Sequence, residues 1–232
     1  MRLHVGTSGY SYAEWKGNFY PEGMPASKML AFYAGQFDTV EINATFYRMP
    51  QPSMFEKWMA QVPESFLFAL KAPRWITQQK TLVNAGAGVA RFWEVAATLG
   101  PRLGPLLFRL PAFLQKDTEA LRSFLPMIPA TARVVMEFLD DSWLDDEVYA
   151  VLREHNAAIC LSDTDEVTDP AALIVPTATW GYLRLRRTEY TPEMLAEWRQ
   201  RIEAQPWDEA FVFFKHEDEG RGPRFAREFL GA

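Results

Sequence analysis

A single cysteine, Cys160, excludes an internal disulfide framework, and its place inside an apolar run makes it core filling and not a nucleophile. Histidine is nearly as scarce: His4, His155 and His216 are too few and too scattered for a multi-zinc centre. No uninterrupted apolar stretch reaches the roughly 20 residues that a membrane helix needs, and no basic segment leads into an apolar run near Met1. Neither a membrane partner nor a secretory leader is therefore expected, and a cytoplasmic location is. A basic excess is also missing. With 24 Lys and Arg against 30 Asp and Glu, the net charge is −6 and the pI about 5.2, which argues against wholesale binding to nucleic acid or anionic membrane and leaves room only for a local basic pocket. Low-complexity segments, short-period repeats, long linkers and the GxGxxG dinucleotide fingerprint are absent too.

What the chain does have is eight short apolar runs, most followed by a helix-like stretch: Leu3 to Gly6, Thr39 to Asn43, Phe66 to Lys71, Leu106 to Leu110, Arg133 to Phe138, Ala157 to Leu161, Gly181 to Leu185 and Ala210 to Phe214. Eight strand–helix units predict a single TIM-type (β/α)₈ barrel over residues 1–232, and 48% hydrophobic content suffices for its core. Between the runs, Ser53 with Glu56 reads as a capping box after Pro52. Val89, Phe92, Trp93, Ala96 and Leu99 form an apolar stripe ended by Gly100 and Pro101. Leu121 with Phe124, Val148 with Leu152, and a stripe from Met194 to Ile202 opened by Thr191 and Pro192 predict further helices. The sixth crossover, near Asp169 to Leu173, reads as weak or irregular.

In such barrels ligands bind at the carboxyl ends of the strands. Alternate strand residues face the interior, and the face covered by helices must be apolar. In Phe66, Phe68 and Leu70 the outer set is plain, which turns Leu67, Ala69 and Lys71 inward. The same test puts Glu41, Asn43, Arg109, Glu137, Asp163, Arg184, Arg186 and Lys215 on or above the inner surface. Five cations against three carboxylates give the mouth an excess of two positive charges on an acidic body, a focusing arrangement for an anion. The competing reading is that these groups pair with one another and merely close the top of the core.

The segments Val5-Gly-Thr-Ser-Gly-Tyr-Ser-Tyr12, with Trp15 and Phe19-Tyr-Pro21, and Phe37-Asp-Thr-Val-Glu-Ile-Asn-Ala-Thr-Phe-Tyr47 resemble the YecE-like proteins, domain of unknown function family 72. The likeness extends through Phe66 to Thr77, Leu103 to Leu114, Met136-Glu137-Phe138 with Trp143, and Tyr182-Leu-Arg-Leu185. It implies a TIM-barrel fold and no established activity. Glu41, Asn43, Lys71, Glu137, Asp163 and Arg184 match the family pattern. Gln78, Arg109, Leu139, Arg186 and the pair Lys215-His216 depart from it, so those basic groups are features of this chain.

Two glycine turns suit an anion. Gly6-Thr-Ser-Gly9, with Ser8, follows the first run, and Gly220-Arg221-Gly222-Pro223 opens the last helix, so the two together are expected to hold one phosphate with Lys215 and Arg221. Aromatic residues crowd the same rim, and Trp15 and Tyr47 are the expected ligand contacts. Glu41 and Glu137 are expected to act in acid–base catalysis, with Lys71 holding Glu41 ionised and Glu137 carrying the proton. No cofactor is expected. A divalent ion on Glu41, Glu137, Asp163 and His216 is a minor alternative, as is a relay of Ser8, His216 and Asp163. The sequence thus points to binding of a small phosphorylated sugar or nucleotide with carboxylate-assisted hydrolysis or proton transfer. Its alternatives are a non-catalytic nucleic-acid or metabolite binder and a metal-dependent isomerase or phosphodiesterase; oligomeric state stays open.

Overall fold

A computed structural model describes residues 1–215 and 218–231. Eight strands alternate with helical segments: β1 (Arg2–Thr7), α1 (Ala26–Ala34), β2 (Thr39–Ile42), α2 (Ala44–Tyr47), α3 (Pro52–Met59), β3 (Leu67–Lys71), α4 (Arg74–Thr77), α5 (Gly86–Ala96), β4 (Leu103–Leu110), α6 (Thr118–Phe124), β5 (Val134–Phe138), α7 (Asp146–Glu154), β6 (Ala158–Asp163), β7 (Trp180–Leu185), α8 (Pro192–Glu203), β8 (Glu209–Phe214) and α9 (Arg221–Leu230). All strand pairings are parallel, in the order β1-β8-β7-β6-β5-β4-β3-β2. The two ends of the sheet meet through a bridge between Ser8 and Glu41, where the Gly9 N–H donates to the Glu41 carbonyl at 2.8 Å. The result is the (β/α)₈ barrel expected from the eight runs. Among the described residues no helix is long and apolar enough to cross a membrane.

Glycine permits the closure. A Cβ on Gly6 would lie 2.1 Å from the Thr39 carbonyl oxygen, so β1 approaches β2 this closely only without a side chain there. Strand β4 starts three residues before the apolar run that announced it. Its register against β3 shifts between Phe68 and Leu70, and the bulge accommodates Gly104 and Pro105, the latter with no N–H to give to a ladder.

Side-chain caps open several helices. Asp117 accepts from the Ala120 N–H at 2.9 Å and Thr191 from the Met194 N–H at 3.3 Å. The Ser53–Glu56 capping box does not form. Pro52 takes the first helical position, for which its fixed φ is suited, so Gln51 is the cap and Ser53 lies inside α3. The sixth crossover is irregular as expected, and carries only a 3₁₀ turn at Pro170–Leu173.

Two apolar layers result. Phe68, Leu106, Phe108, Met136, Leu183 and Phe214 pack outward against the helices. Ala69, Leu107, Val135, Ala158, Cys160, Trp180, Tyr182, Phe211 and Phe213 fill the barrel interior. The period-two alternation assigns each strand residue to one layer or the other. At the amino end of the barrel, His4 stacks on Phe211 with ring centroids 4.6 Å apart and lies 2.6 Å from Asp38 through Nδ1.

Candidate functional site

On five strands the side chain two residues beyond the last apolar interior position is charged. Ala69 leads to Lys71, Leu107 to Arg109, Val135 to Glu137, Tyr182 to Arg184 and Phe213 to Lys215. The inner wall therefore turns from oil to charge at one level, at the carboxyl ends of the strands.

Arg184 holds the centre and is 2% exposed. Its Nη1 donates to Glu137 Oε1 at 2.6 Å, and its Nη2 donates to Glu41 Oε1 at 3.1 Å and to Ser8 Oγ at 3.4 Å. Ser8 Oγ also donates to Glu41 Oε1, and the Tyr182 hydroxyl donates to Glu41 Oε2 at 2.6 Å. Arg109 Nε lies 3.3 Å from Glu137 Oε2, but the alignment is poor and neither atom has a hydrogen-bond partner. Above this buried layer opens a cavity of about 240 Å³ lined by Tyr12, Asn43, Phe46, Tyr47, Lys71, Arg109, Arg184, Arg186 and Lys215. The buried Lys71 ammonium sits 4.9 Å from the centre of the Phe46 ring. Among the described residues it makes no hydrogen bond or ion pair.

Burial alone would raise the Glu41 carboxyl, but Arg184, Lys71, Ser8 and Tyr182 outweigh it and hold the group below the usual carboxylate range. Glu137 behaves alike: burial opposes ionisation, and Arg184, Lys71 and Arg109 prevail. Lys71 moves the other way. Burial and the neighbouring Arg184 charge lower it, Glu41 and Glu137 oppose them, and the outcome is about 8. Burial pushes the Cys160 thiol well up, which keeps it protonated inside the core.

The structure gathers Glu41, Asn43, Tyr47, Lys71, Arg109, Glu137, Arg184, Arg186 and Lys215 at one end of the barrel, with Ser8 in the layer beneath. Asp163, Trp15, Gly6 and Arg221 stand differently. Asp163 has outward parity: its carboxylate accepts from Arg187 Nε at 2.8 Å, the Tyr190 hydroxyl at 3.0 Å and Trp198 Nε1 at 3.0 Å, which ties β6 to α8. Without it the mouth sets five cations against two carboxylates. Trp15 is 1% exposed and packs against Tyr12, Phe19 and Tyr20, so it is core and not a ligand platform.

The glycine-turn cradle does not assemble. The N–H groups of Thr7, Ser8 and Gly9 are consumed by the Tyr33 hydroxyl at 2.7 Å, the Phe214 carbonyl at 3.0 Å and the Glu41 carbonyl at 2.8 Å. The turn after β1 thus offers a ligand none of these three amides; Gly6 lies within β1, in register with Phe213, and serves the strand approach, and Ser8 acts through its hydroxyl. Arg221 lines a separate cavity of about 610 Å³ with Arg224 and Arg227, and pairs with Glu189 at 3.0 Å, while Lys215 lines the mouth. His216 lies outside the described residues, and Asp163 faces the helices, so the Ser8–His216–Asp163 relay has no geometry behind it. Among the described residues no group of three or more His, Cys, Asp or Glu is placed to hold a metal ion. The expected division of labour between the carboxylates is also absent, because Glu137 is held ionised as firmly in direction as Glu41.

Tyr182 was the missed member. Its signal was present: it stands two residues before Arg184, hence on the same face of β7, and a tyrosine among buried carboxylates must place its hydroxyl.

A family model described as Protein of unknown function DUF72 matches residues 4–232. The chain is 35% identical over 128 residues to the UPF0759 protein YecE of Escherichia coli, an alignment covering 55% of this chain and 44% of that protein. It is 24% identical over 155 residues to the UPF0759 protein YunF of Bacillus subtilis, covering 63% and 54%. The chain thus spans about half the length of the curated relatives it matches. The crystal structure of a DUF72 family protein from Thermotoga maritima superposes with a TM-score of 0.86 at 24% identity, over 100% of this chain and 98% of that one, and shares the fold.

Proposed function

This chain belongs to the DUF72 family of proteins of unknown function, and from that footing we propose that its barrel mouth binds a small dianion, a phosphate ester by preference, between Lys71, Arg109, Arg186 and Lys215. The observation that carries the reading is the Lys71 ammonium: buried, lining the cavity, and without a hydrogen bond or ion pair among the described residues. A side chain kept only to plug the core would have been paired or replaced by an apolar one, because an unpaired buried charge is costly. Glu41 and Glu137 are already committed to Arg184, which leaves an excess of three positive charges at the mouth. At about 30 Å³ per water molecule, the 240 Å³ cavity holds about eight, the size of a phosphate with a short carbon skeleton.

Proton transfer on such a ligand falls to Lys71. Both glutamates stay ionised near neutral pH, whereas a group near 8 exchanges its proton there. The glutamates then act by holding Arg184 and by setting the field around the amine.

Sulfate tests the binding because its charge is constant across the relevant pH. Calorimetric titration at pH 7 and low ionic strength is expected to give one saturable site per chain that weakens as sodium chloride is added. Affinity is also expected to fall as pH rises through about 8, where Lys71 loses its charge. An absence of saturable binding at pH 7, or an affinity indifferent to both salt and pH, contradicts the proposal.

A further inference from the structure

We infer that Lys71 is a covalent group: its amine condenses with the carbonyl of a small anionic oxo compound, an oxo acid or a keto or aldehyde phosphate, to form an iminium at the barrel mouth. The inference deepens the anion-binding reading and rests on it. Four observations converge on the amine. It stands at the end of β3, in a wall of packed strands, so its base is rigidly placed. It lines the cavity, where a ligand carbon can reach it. It donates to no described residue, so its lone pair, once exposed, has no competing partner. The Phe46 ring lies under it at 4.9 Å and shields that side from water.

The surroundings also favour the product. Condensation joins the neutral amine nitrogen to the carbonyl carbon, and the carbonyl oxygen takes one amine proton to become a hydroxyl. That hydroxyl leaves as water with one proton from solvent, and the iminium nitrogen keeps its remaining proton and a positive charge. A cation therefore stands where the ammonium stood, still facing the fields of Glu41 and Glu137, so no uncompensated charge is created in the buried layer. The shift of Lys71 to about 8 makes roughly a tenth of it neutral at pH 7, against less than a thousandth for an ordinary lysine. Arg109, Arg186 and Lys215 line the same cavity and would hold the ligand's carboxylate or phosphate while the carbonyl faces the amine.

Reductive trapping tests this on the full chain. The protein is incubated with pyruvate, dihydroxyacetone phosphate or uncharged dihydroxyacetone in the presence of sodium cyanoborohydride, then digested and mapped by mass spectrometry. One adduct per chain is expected at Lys71 with an anionic probe, formed faster at pH 8.5 than at pH 6.5 and suppressed by excess sulfate. Uncharged dihydroxyacetone is expected to label Lys71 at least about tenfold more slowly, the effect of one charge-assisted contact. Lys71→Arg keeps a cation at the mouth and is expected to bind sulfate while giving no adduct at that position. Labelling confined to exposed lysines such as Lys57 and Lys80, with sulfate still bound by the wild-type chain, overturns the iminium and leaves the anion site standing. Loss of both sulfate binding and Lys71 labelling overturns the two readings together.

Discussion

Replacing Arg184 with methionine is expected to lower the unfolding free energy by about 3–5 kcal/mol at neutral pH, the usual consequence of removing one partner from a buried ionic group. The guanidinium bridges Glu137 Oε1 at 2.6 Å and Glu41 Oε1 at 3.1 Å, and all three side chains are excluded from solvent. Methionine fills much of the space but leaves two carboxylates facing each other, with Lys71, Arg109 and the hydroxyls of Ser8 and Tyr182 to compensate. The pH dependence identifies the cause. In the wild-type chain both carboxyls lie below their ordinary values, so they stabilise the fold above about pH 4.3, and that contribution is lost as pH falls through the depressed values. In Arg184→Met the burial that now dominates raises both, and the deficit should be greatest above neutrality and shrink as acid protonates them. Urea unfolding at pH 7.5 and pH 5 measures this. Adding Glu41→Gln and Glu137→Gln to Arg184→Met should recover much of the loss at pH 7.5. A change within about 1 kcal/mol for the single variant, of the size seen for exposed ion pairs, would mean that the three groups do not form the buried layer described.

The second large effect concerns the ligand. Arg109→Ser combined with Arg186→Ser is expected to weaken sulfate binding at least about a hundredfold, since each hydrogen bond to a charged group contributes about 1.5–3 kcal/mol and each tenfold in affinity is about 1.4 kcal/mol. Both arginines line the mouth and neither is fully buried, so the fold should tolerate their loss. Arg221→Ser provides the comparison. It removes a cation that lines the separate cavity and is already paired with Glu189 at 3.0 Å, and it should leave sulfate affinity within about twofold, because a partly exposed, paired charge that does not line the mouth is largely screened by solvent and salt. Equal losses in the two proteins would place the anion elsewhere.

The barrel was legible because its signal is repeated eight times and each strand is bounded by turns or helices. The inner surface was legible where an apolar outer face made the parity plain, as in Phe66, Phe68 and Leu70, and from that rule follow Lys71, Arg109, Glu137, Arg184 and Lys215. Strand β6 shows where the rule loses its footing. Ala157 to Leu161 is apolar at every position, so neither face announces itself, and Asp163 was placed one residue out of phase with the interior set Ala158 and Cys160. A one-residue slip sends a side chain to the opposite face. Loop residues carry no periodicity, which is why Trp15 read as rim although three aromatic neighbours enclose it. The spent amides of Thr7, Ser8 and Gly9 depend on partners 26 to 206 positions away, at Tyr33, Glu41 and Phe214, which no local pattern contains. Which groups titrate near neutrality was hidden for the same reason. Charge type is written in the sequence, but the balance that leaves Glu137 ionised and lowers Lys71 depends on where Arg184 lies between them.

Anomalous scattering from tungstate, a tetrahedral dianion like sulfate, locates the bound anion directly. Crystals soaked in tungstate are expected to show one strong peak in the barrel mouth, within contact of Lys71 and at least one of Arg109, Arg186 and Lys215. A mouth without a peak, with tungstate found only beside Arg221, Arg224 and Arg227 or on the outer surface, would contradict the account.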